Sequence, residues 1–313
     1  MSKQLKSAKT VFVGLDNGGK TSIIRFLDNK LVLGEKLKPT VDTEITSQII
    51  SLLGLEIFHW DFGGQEQYRQ QYIEKSSKYF MSVNLMIFVI DIQDERRYNE
   101  AFYYLEKILN IIKETNQDCK IFVLFHKYDP GLAMLKKIDI NIEKLKTKIK
   151  KINPFEEIYF YNTSIYNKIS LLRAFSDMAT YFSDKTQLIQ NLLKTYCENT
   201  HSKAAILFDT RNFVIDSREE KDTLVKELEI IAHIFSDGMD ELEKYSLETL
   251  ETVSLIQPSN SKEDEPKAMI FIQKLDLVFK LYLISLSTDP ETKHLVYDNM
   301  KILTENLIEL FNK

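Results

Sequence analysis

Short apolar runs alternate with amphipathic stretches through the first half of the chain. The runs are rich in Val, Ile and Phe and are bounded by turn residues, which indicates buried strands, whereas apolar residues at three- and four-residue spacing indicate helices. The predicted strands are 9–15, 45–53, 55–62, 84–92, 120–126 and 158–165, and the predicted helices are 22–28, 95–115, 136–151 and 171–182. This alternation predicts an α/β fold whose six-stranded, mostly parallel sheet is flanked by helices.

The order of elements changes after residue 183. A predicted helix is followed by two strands, a long helix, an extended segment, two further strands and a closing helix, at 186–197, 204–209, 212–217, 218–235, 246–256, 267–275, 277–286 and 291–311. Consecutive strands joined by short turns indicate an antiparallel sheet. We therefore predict two domains, 1–183 and 184–313, the second of α+β type.

Charge is unevenly divided between these two halves. The formal net charge is −5, but residues 184–313 contain 15 Lys and Arg against 24 Asp and Glu, which leaves a surplus of four positive charges before them. A mildly basic first half suits an anionic ligand. The chain lacks the strongly basic stripe that nucleic-acid binding requires, so we expect no nucleic-acid partner.

Cysteine content and the chain ends bear on location. Cys119 and Cys197 are the only cysteines, which argues against a disulfide framework and favours a reducing compartment. No apolar run approaches the length of a membrane span, residue 2 is Ser rather than a myristoylation Gly, and the chain ends FNK without a prenylation cysteine. We expect a cytoplasmic protein with no membrane anchor of its own.

Five of the nine glycines are concentrated in two short strings, GLDNGGKTS and WDFGGQ. The first fits the phosphate-binding pattern G-x-x-x-x-G-K-[ST] and stands between a predicted strand and a predicted helix, the context in which that pattern has meaning. Backbone N–H groups of such a loop, with the helix N-terminus behind them, bind phosphate oxygens. The predicted phosphate-binding residues are Asp16, Asn17, Gly18, Gly19, Lys20, Thr21 and Ser22.

The second string predicts the metal and the catalytic water. Asp61 ends a strand in the manner of a Walker B carboxylate, Gly63 or Gly64 offers an N–H to a γ-phosphate, and Gln65 is placed to orient an attacking water. Thr40, in the loop between the first helix and the second strand, is predicted to supply a hydroxyl. The predicted Mg²⁺ ligands are thus Thr21, Thr40 and Asp61, with Asp61 acting through water.

Two strings at strand ends predict recognition of a base. HKYD places His126, Lys127 and Asp129 after the fifth strand, and a carboxylate there accepts both N1–H and N2–H of guanine, which adenine cannot offer. The Lys127 stem is expected to pack on the purine plane. TSI places Ser164 and Ile165 after the sixth strand, where backbone N–H groups can reach the guanine O6.

Together these strings resemble those of Ras-like small GTPases over the first 183 residues. The aspartate in the P-loop, Pro39–Thr40 and WDFGGQ look like the Arf family, whereas HKYD, with His126 where most relatives have Asn, is similar to the Rag/Gtr family. The length of the chain and the predicted order of the second half resemble the roadblock/longin-like domain of Rag/Gtr proteins. The chain is identified as resembling a Rag/Gtr GTPase with an Arf-like P-loop.

The resemblance implies a GTP/GDP switch that depends on Mg²⁺. It implies catalytic roles for Lys20, Thr40 and Gln65, and slow intrinsic hydrolysis because no arginine stands in the P-loop or beside Thr40. It further implies pairing through residues 184–313 with a second Rag/Gtr-like subunit, in a heterodimer or homodimer. Activating and exchange proteins, recruitment to an endomembrane through partners and nutrient-linked signalling also follow from it.

Three alternatives remain open on the sequence. The chain could be a scaffold subunit that holds GTP or GDP and hydrolyses it little, although Gln65 favours hydrolysis. It could be an Arf-related GTPase with a fused dimerisation domain. It could also be a P-loop kinase or ATPase, which Asp129 disfavours because that carboxylate suits guanine.

Overall fold

A computed structural model of the chain describes the following residues: 6–28, 30–33, 37–50, 53, 55–115, 118–132, 135–155, 157–209, 214–218, 228, 230–232, 234–235, 238, 251–256, 268–275, 280–287, 289 and 293–312. The chain divides into two compact units. The first comprises Met1–Ile50 and Gly54–Ala174, and the second comprises Ser51–Leu53 and Phe175–Lys313. The domain boundary at 183/184 stays a prediction.

The first unit contains a six-stranded sheet with helices between its strands. The elements, in chain order, are β1 (Lys6–Gly14), α1 (Lys20–Leu27), β2 (Thr43–Ile50), β3 (Leu55–Phe62), α2 (Glu66–Glu74), α3 (Ser76–Phe80), β4 (Leu85–Asp91), a short 3₁₀ helix (Glu95–Arg97), α4 (Tyr98–Thr115), β5 (Lys120–His126), α5 (Lys136–Ile152) and β6 (Tyr159–Thr163). The helix α6 (Lys168–Thr180) follows and spans the division between the units.

The strands of this sheet run in the order β2-β3-β1-β4-β5-β6. β2 pairs with β3 in antiparallel fashion, and all other pairs are parallel. The predicted mostly parallel six-stranded sheet is therefore confirmed. Because the parallel strands share a direction, their carboxyl ends meet at one edge, which carries Gly14, Phe62, Asp91, His126 and Thr163. That edge is where open α/β sheets bind ligands.

The core explains why these segments take these forms. β4 and β5 are buried along almost their whole length, as expected of central parallel strands covered on both faces. α4 buries Ala101, Leu105, Ile108 and Ile112, which recur at helical spacing and form one apolar stripe against the sheet. Burying each of these larger side chains contributes about 1.5–3 kcal/mol before entropic costs.

Two helices after β3 were not predicted. α2 and α3 form from the polar string EQYRQQYIEKSSKYF, which lacks a clear apolar period. Tyr72, Tyr79 and Phe80 from these helices are buried around Phe62, with ring centroids 4.5–5.6 Å from it. Aromatic packing thus fixes helices whose own sequence shows little amphipathicity, which is why pattern alone missed them.

The second unit contains an antiparallel sheet. Its elements are α7 (Asp184–Thr200), β7 (Ala204–Asp209), β8 (Val214–Arg218), β9 (Glu251–Ile256), β10 (Ala268–Leu275), β11 (Leu281–Ser287) and α8 (Lys293–Asn312). The strand order is β8-β7-β11-β10-β9, and every pair is antiparallel, which confirms the predicted sheet. Most of the predicted helix 218–235 and residues 246–250 of the predicted extended segment lie outside the described residues.

Polar contacts join the helices of this unit to its sheet and to each other. The Tyr196 hydroxyl of α7 lies 3.2 Å from the Ser285 hydroxyl of β11, and the Asn199 amide donates to Asn299 of α8 at 3.0 Å. The sheet core contains Ile206, Phe208 and Ile284. Among the described helices, none combines the length and the apolar character that crossing a bilayer would require.

Candidate functional site

The loop between β1 and α1 is built to approach a ligand closely. Gly14 has φ +148°, and a Cβ there would stand 2.4 Å from the Val89 carbonyl oxygen of the neighbouring strand. Gly19 has φ +94°, a left-handed conformation that favours glycine. The loop therefore turns tightly over the end of the sheet and directs the N-terminus of α1 toward the space above it.

That space is a cleft of about 350 Å³. All seven predicted phosphate-binding residues line it: Asp16, Asn17, Gly18, Gly19, Lys20, Thr21 and Ser22. The opposite wall is formed by Leu37, Lys38, Pro39, Thr40, Gly64, Gln65 and Lys127. Four separate parts of the chain, residues 16–22, 37–40, 64–65 and Lys127, thus enclose one cavity next to a helix N-terminus, which suits a phosphate chain.

Lys20 is buried in the floor of this cleft. Its ammonium donates to the carbonyls of Gly14 at 3.1 Å and Leu15 at 2.8 Å. Burial lowers the pKa of Lys20 to about 8, while the negative charges of Asp61 and Asp16 act in the opposite direction. A buried ammonium beside neutral carbonyls gains from an anion at this position, which fits the predicted contact with phosphate oxygens.

Thr21, Thr40 and Asp61 converge at one point. The Asp61 Oδ2 accepts hydrogen bonds from the Thr21 hydroxyl at 2.5 Å and the Thr40 hydroxyl at 2.9 Å, and the two hydroxyl oxygens are 2.9 Å apart. Burial raises the pKa of Asp61, and Lys20 and the two hydroxyls oppose that rise. The structure therefore brings together the three residues predicted to hold Mg²⁺.

The donor set fits a hard divalent cation. Asp61 is 3% exposed, and its Oδ1 is buried without a hydrogen-bond partner among the described residues. An unpaired buried carboxylate oxygen beside two hydroxyl oxygens offers the all-oxygen ligation that Mg²⁺ takes, with water completing the shell. No cluster of three or more His, Cys, Asp or Glu suited to a metal occurs in the described part of the chain.

Gly63 and Gly64 connect the end of β3 to the P-loop and to the segment that carries Thr40. The Gly63 N–H donates to the Asp42 carbonyl at 2.8 Å and to the Tyr72 hydroxyl at 2.9 Å, so it is engaged within the protein. The Gly64 carbonyl accepts from the Asp16 N–H at 3.0 Å. A Cβ on Gly64 would lie 2.2 Å from the Asp16 nitrogen, so only glycine permits this approach.

His126 stands behind the P-loop rather than in the cleft. It is 1% exposed, its Nδ1 lies 3.0 Å from the Thr163 hydroxyl, and its ring closely faces Gly19. Burial lowers the pKa of His126 to about 4, with the Lys127 charge adding to the effect. The imidazole is therefore neutral at pH 7. Its ring packs between the end of β5 and Gly19 of the P-loop.

Asp129 and Ser164 meet beside Lys127. The Ser164 hydroxyl donates to Asp129 Oδ1 at 2.5 Å, which joins the ends of β5 and β6. The Ser164 N–H donates to the Ser170 hydroxyl, and Ile165 follows in a turn, half-buried. Asp129, Ser164 and Ile165 do not line the phosphate cleft itself; Lys127 is the residue of this group that does.

Two functional candidates after β4, Arg97 and Gln93, were not predicted from the sequence. Arg97 donates to the Asp16 carboxylate at 2.7 Å and to the Asp16 carbonyl at 3.3 Å. Gln93 donates from its side-chain nitrogen to Asp129 Oδ2 and to the Lys127 carbonyl, both at 2.9 Å. Both lie in QDERR, directly after a strand that ends at the ligand edge, and that position was the available signal.

Comparison with known proteins decides the family. The model of the Gtr1/RagA G protein conserved region matches residues 9–235. The chain belongs to the Gtr1/RagA G protein family. This confirms the predicted Rag/Gtr resemblance and makes the chain a small GTPase.

Relatives of this family are similar to the chain over much of its length. GTP-binding protein gtr2 of Schizosaccharomyces pombe is 26% identical over 323 aligned positions, which cover 98% of this chain and 99% of the relative. Ras-related GTP-binding protein A of Dictyostelium discoideum is 22% identical over 215, covering 68% and 70%. GTP-binding protein GTR1 of Saccharomyces cerevisiae is 26% identical over 216, covering 66% and 67%.

Proposed function

We propose that this Rag/Gtr GTPase binds GTP and GDP with Mg²⁺ and hydrolyses GTP slowly as a molecular switch. The observation that carries the proposal is the convergence of Thr21, Thr40 and Asp61 below the P-loop, with one buried carboxylate oxygen left without a partner. Thr40 belongs to a loop distant from the P-loop in sequence. A ligand that holds both segments at once therefore orders that loop, and its loss releases it.

The residues of the cleft have different proposed roles toward the phosphates. Lys20 and the N-terminus of α1 neutralise phosphate charge, and Thr21, Thr40 and Asp61 hold Mg²⁺, which supplies charge neutralisation when bound. Gln65 lies in the cleft wall, where it orients a water for attack on the γ-phosphate. Because no arginine lines the cleft among the described residues, an activating protein is expected to accelerate hydrolysis.

The role of Gln65 is tested by single-turnover hydrolysis. In Gln65→Leu, GTP hydrolysis falls by about tenfold or more while GTP affinity is retained, because the side chain acts on the water rather than on the nucleotide. Gln70→Leu, an exposed position on α2, is the matched control and leaves the rate unchanged. A rate in Gln65→Leu equal to that of the unmodified chain favours the scaffold alternative, in which nucleotide is held with little turnover.

Base recognition is proposed to rest on Asp129, with Ser164 holding its carboxylate and the Ile165 N–H reaching the purine O6. The decisive experiment compares GDP, xanthosine diphosphate and ADP in the full chain and in Asp129→Asn. Guanine preference in the unmodified chain and a shift toward xanthine in Asp129→Asn are expected, because an amide donor suits the xanthine carbonyl. Equal binding of ADP and GDP would contradict the proposal and revive an ATP-dependent function.

Residues 184–313, which make up most of the second unit, are proposed to be a roadblock/longin-like dimerisation domain. The support is an antiparallel five-strand sheet with α7 before it and α8 after it, in which β8 and β9 are the edge strands. The partner is proposed to be a second Rag/Gtr-like subunit. Sedimentation measures the oligomeric state of three samples: the full chain alone, the full chain co-expressed with such a subunit, and residues 1–183. Dimers are expected only for samples that contain residues 184–313. A dimer formed by residues 1–183 would contradict it.

The setting follows the family rather than any residue of the site. A cytoplasmic protein recruited to an endomembrane through its partners, regulated by activating and exchange proteins and linked to nutrient signalling, is the proposed context. Fractionation of cells that express the tagged chain, with and without its partner subunit, tests recruitment. Membrane association that persists without any partner would overturn this part of the proposal.

A further inference from the structure

The base side of the site contains a residue whose bonds point to a function of its own. Gln93 follows β4, and its side-chain nitrogen has two N–H groups. One donates to Asp129 Oδ2 at 2.9 Å, and the other donates to the Lys127 carbonyl at 2.9 Å. Both acceptors belong to the HKYD string, so a single amide spans the segment proposed to contact the purine.

The backbone of Gln93 is held in place by Asp91. Its backbone N–H donates to Asp91 Oδ1 at 2.9 Å, and Asp91 Oδ2 accepts from the Lys127 ammonium at 2.5 Å. Asp91 ends β4 and pairs with His126 at the end of β5, so these contacts close a ring across two neighbouring strands. Gln93 is exposed, and ordering a long exposed side chain costs conformational entropy. The two side-chain hydrogen bonds and the backbone hydrogen bond to Asp91 offset that cost.

The Asp129 carboxylate is consequently held at both oxygens. Ser164 donates to Oδ1 at 2.5 Å, and Gln93 donates to Oδ2 at 2.9 Å. Each carboxylate oxygen has two acceptor sites, so each keeps one for a ligand. The χ2 torsion of an aspartate normally takes a broad range of values. Hydrogen bonds to both carboxylate oxygens restrict that torsion in Asp129. Its two remaining acceptor sites therefore have a set direction.

We infer that Gln93 is a positioning residue for base selection, which orients the Asp129 carboxylate so that both of its oxygens accept from guanine. The inference rests on the proposed function, since it assigns a further residue to the same site. A fixed carboxylate makes two bonds with guanine, to N1–H and to the 2-amino group. Hypoxanthine lacks the 2-amino group and makes one, so orientation by Gln93 matters more for guanine than for hypoxanthine.

The test measures dissociation constants for GDP, inosine diphosphate and ADP in the full chain with Mg²⁺. Gln93→Met removes both donors at similar length, and Gln93→Glu keeps the shape but cannot donate and adds a charge beside Asp129. The matched control is Gln187→Met, an exposed glutamine of α7. If Gln93→Met does not fold, the same dissociation constants are measured in Gln93→Glu, which keeps the shape of the side chain.

Gln93→Met is expected to weaken GDP binding by about two- to tenfold, the effect of losing one hydrogen bond between Asp129 and guanine. It is expected to weaken binding of inosine diphosphate less. Gln93→Glu is expected to weaken GDP further, and Gln187→Met to leave all three constants unchanged. An unchanged ratio of GDP to inosine diphosphate affinity in both Gln93 variants would overturn the inference, as would tighter GDP binding. If the unmodified chain binds ADP as well as GDP, the proposed function fails instead.

Discussion

The Arg97 guanidinium lies 2.7 Å from the Asp16 carboxylate of the P-loop. The same arginine contacts Glu100 at 3.0 Å, and Glu100 in turn contacts Arg69 of α2 at 2.5 Å. The guanidinium at Arg97 helps to hold the pKa of Asp16 below its usual value, against the opposing effect of burial. An acidic P-loop residue would repel a phosphate chain, and this pairing offsets that charge.

Removing Arg97 is therefore expected to disfavour GTP more than GDP, since GTP carries the greater negative charge. Arg97→Met should lower the ratio of GTP to GDP affinity by about three- to tenfold at low salt, and by less at high salt. Titration with fluorescent nucleotides measures the ratio. The exposed neighbour Arg96→Met is the control, and Asp16→Asn in the Arg97→Met background should restore the ratio. Equal weakening of both nucleotides would contradict this electrostatic role.

Asp61 gives a prediction in which binding and stability move in opposite directions. Asp61→Asn should raise the Mg²⁺ concentration needed for GTP binding by about tenfold or more, because a neutral amide attracts the cation and its bound water less than a carboxylate does. Its pKa is raised by burial, so the ionised carboxylate destabilises the nucleotide-free protein at pH 7. The same variant should therefore unfold at a higher temperature without nucleotide.

Magnesium titrations and thermal unfolding measure these two effects. Asp298→Asn, an exposed change on α8, should alter neither. A lower unfolding temperature in nucleotide-free Asp61→Asn would show that the carboxylate contributes to folding through its two hydroxyl contacts rather than opposing it by burial.

Two buried histidines predict acid sensitivity. Burial lowers the pKa of both His59 and His126 to about 4, from about 6.5 in the unfolded chain. Between these values the unfolded state binds more protons, so stability falls as pH decreases from about 6.5 toward 4, by up to about 3 kcal/mol for each histidine. Urea unfolding at a series of pH values measures the slope.

The contribution of one histidine can be isolated. His126→Asn removes one group that titrates on unfolding, so its stability should decline less steeply below pH 6.5 than that of the unmodified chain. His294→Asn, an exposed position on α8, is the control and should keep the original slope. A slope unchanged by His126→Asn would mean that the pKa of His126 is the same in the folded and the unfolded protein, which would contradict this prediction.

Tyr72 predicts a link between the two loops of the site. Its buried hydroxyl accepts from the Gly63 N–H at 2.9 Å and donates to the Asp42 carbonyl, so it joins the loop that carries Thr40 to the end of β3. Tyr72→Phe should cost about 1–2 kcal/mol of stability, as loss of buried hydrogen bonds does, and raise the Mg²⁺ requirement for GTP. Tyr103→Phe, at an exposed tyrosine, is the control. Loss of stability with an unchanged Mg²⁺ requirement would confine Tyr72 to folding.

Features that depend on neighbouring residues could be predicted from the sequence, whereas contacts between distant residues could not. Asp16 to Ser22 form one contiguous loop whose conformation depends on local glycines, so its string predicted a cleft-lining loop directly. The unpredicted contacts join residues far apart in the chain: 81 positions between Arg97 and Asp16, 36 between Gln93 and Asp129, and 30 between Tyr72 and Asp42. No local pattern encodes such pairs, because each member alone resembles an ordinary surface residue.

By itself the sequence determined the alternation of strands and helices, the phosphate loop and the family resemblance, because hydrophobic period and glycine placement act over a few residues. Tertiary structure alone decided which side chains act on those parts. Packing of parallel strands brings the end of β4 next to the end of β5, which places Gln93 on Asp129, and next to the end of β1, which places Arg97 on Asp16. These contacts depend on the register and order of strands, which follow from the burial of the whole sheet rather than from any one segment.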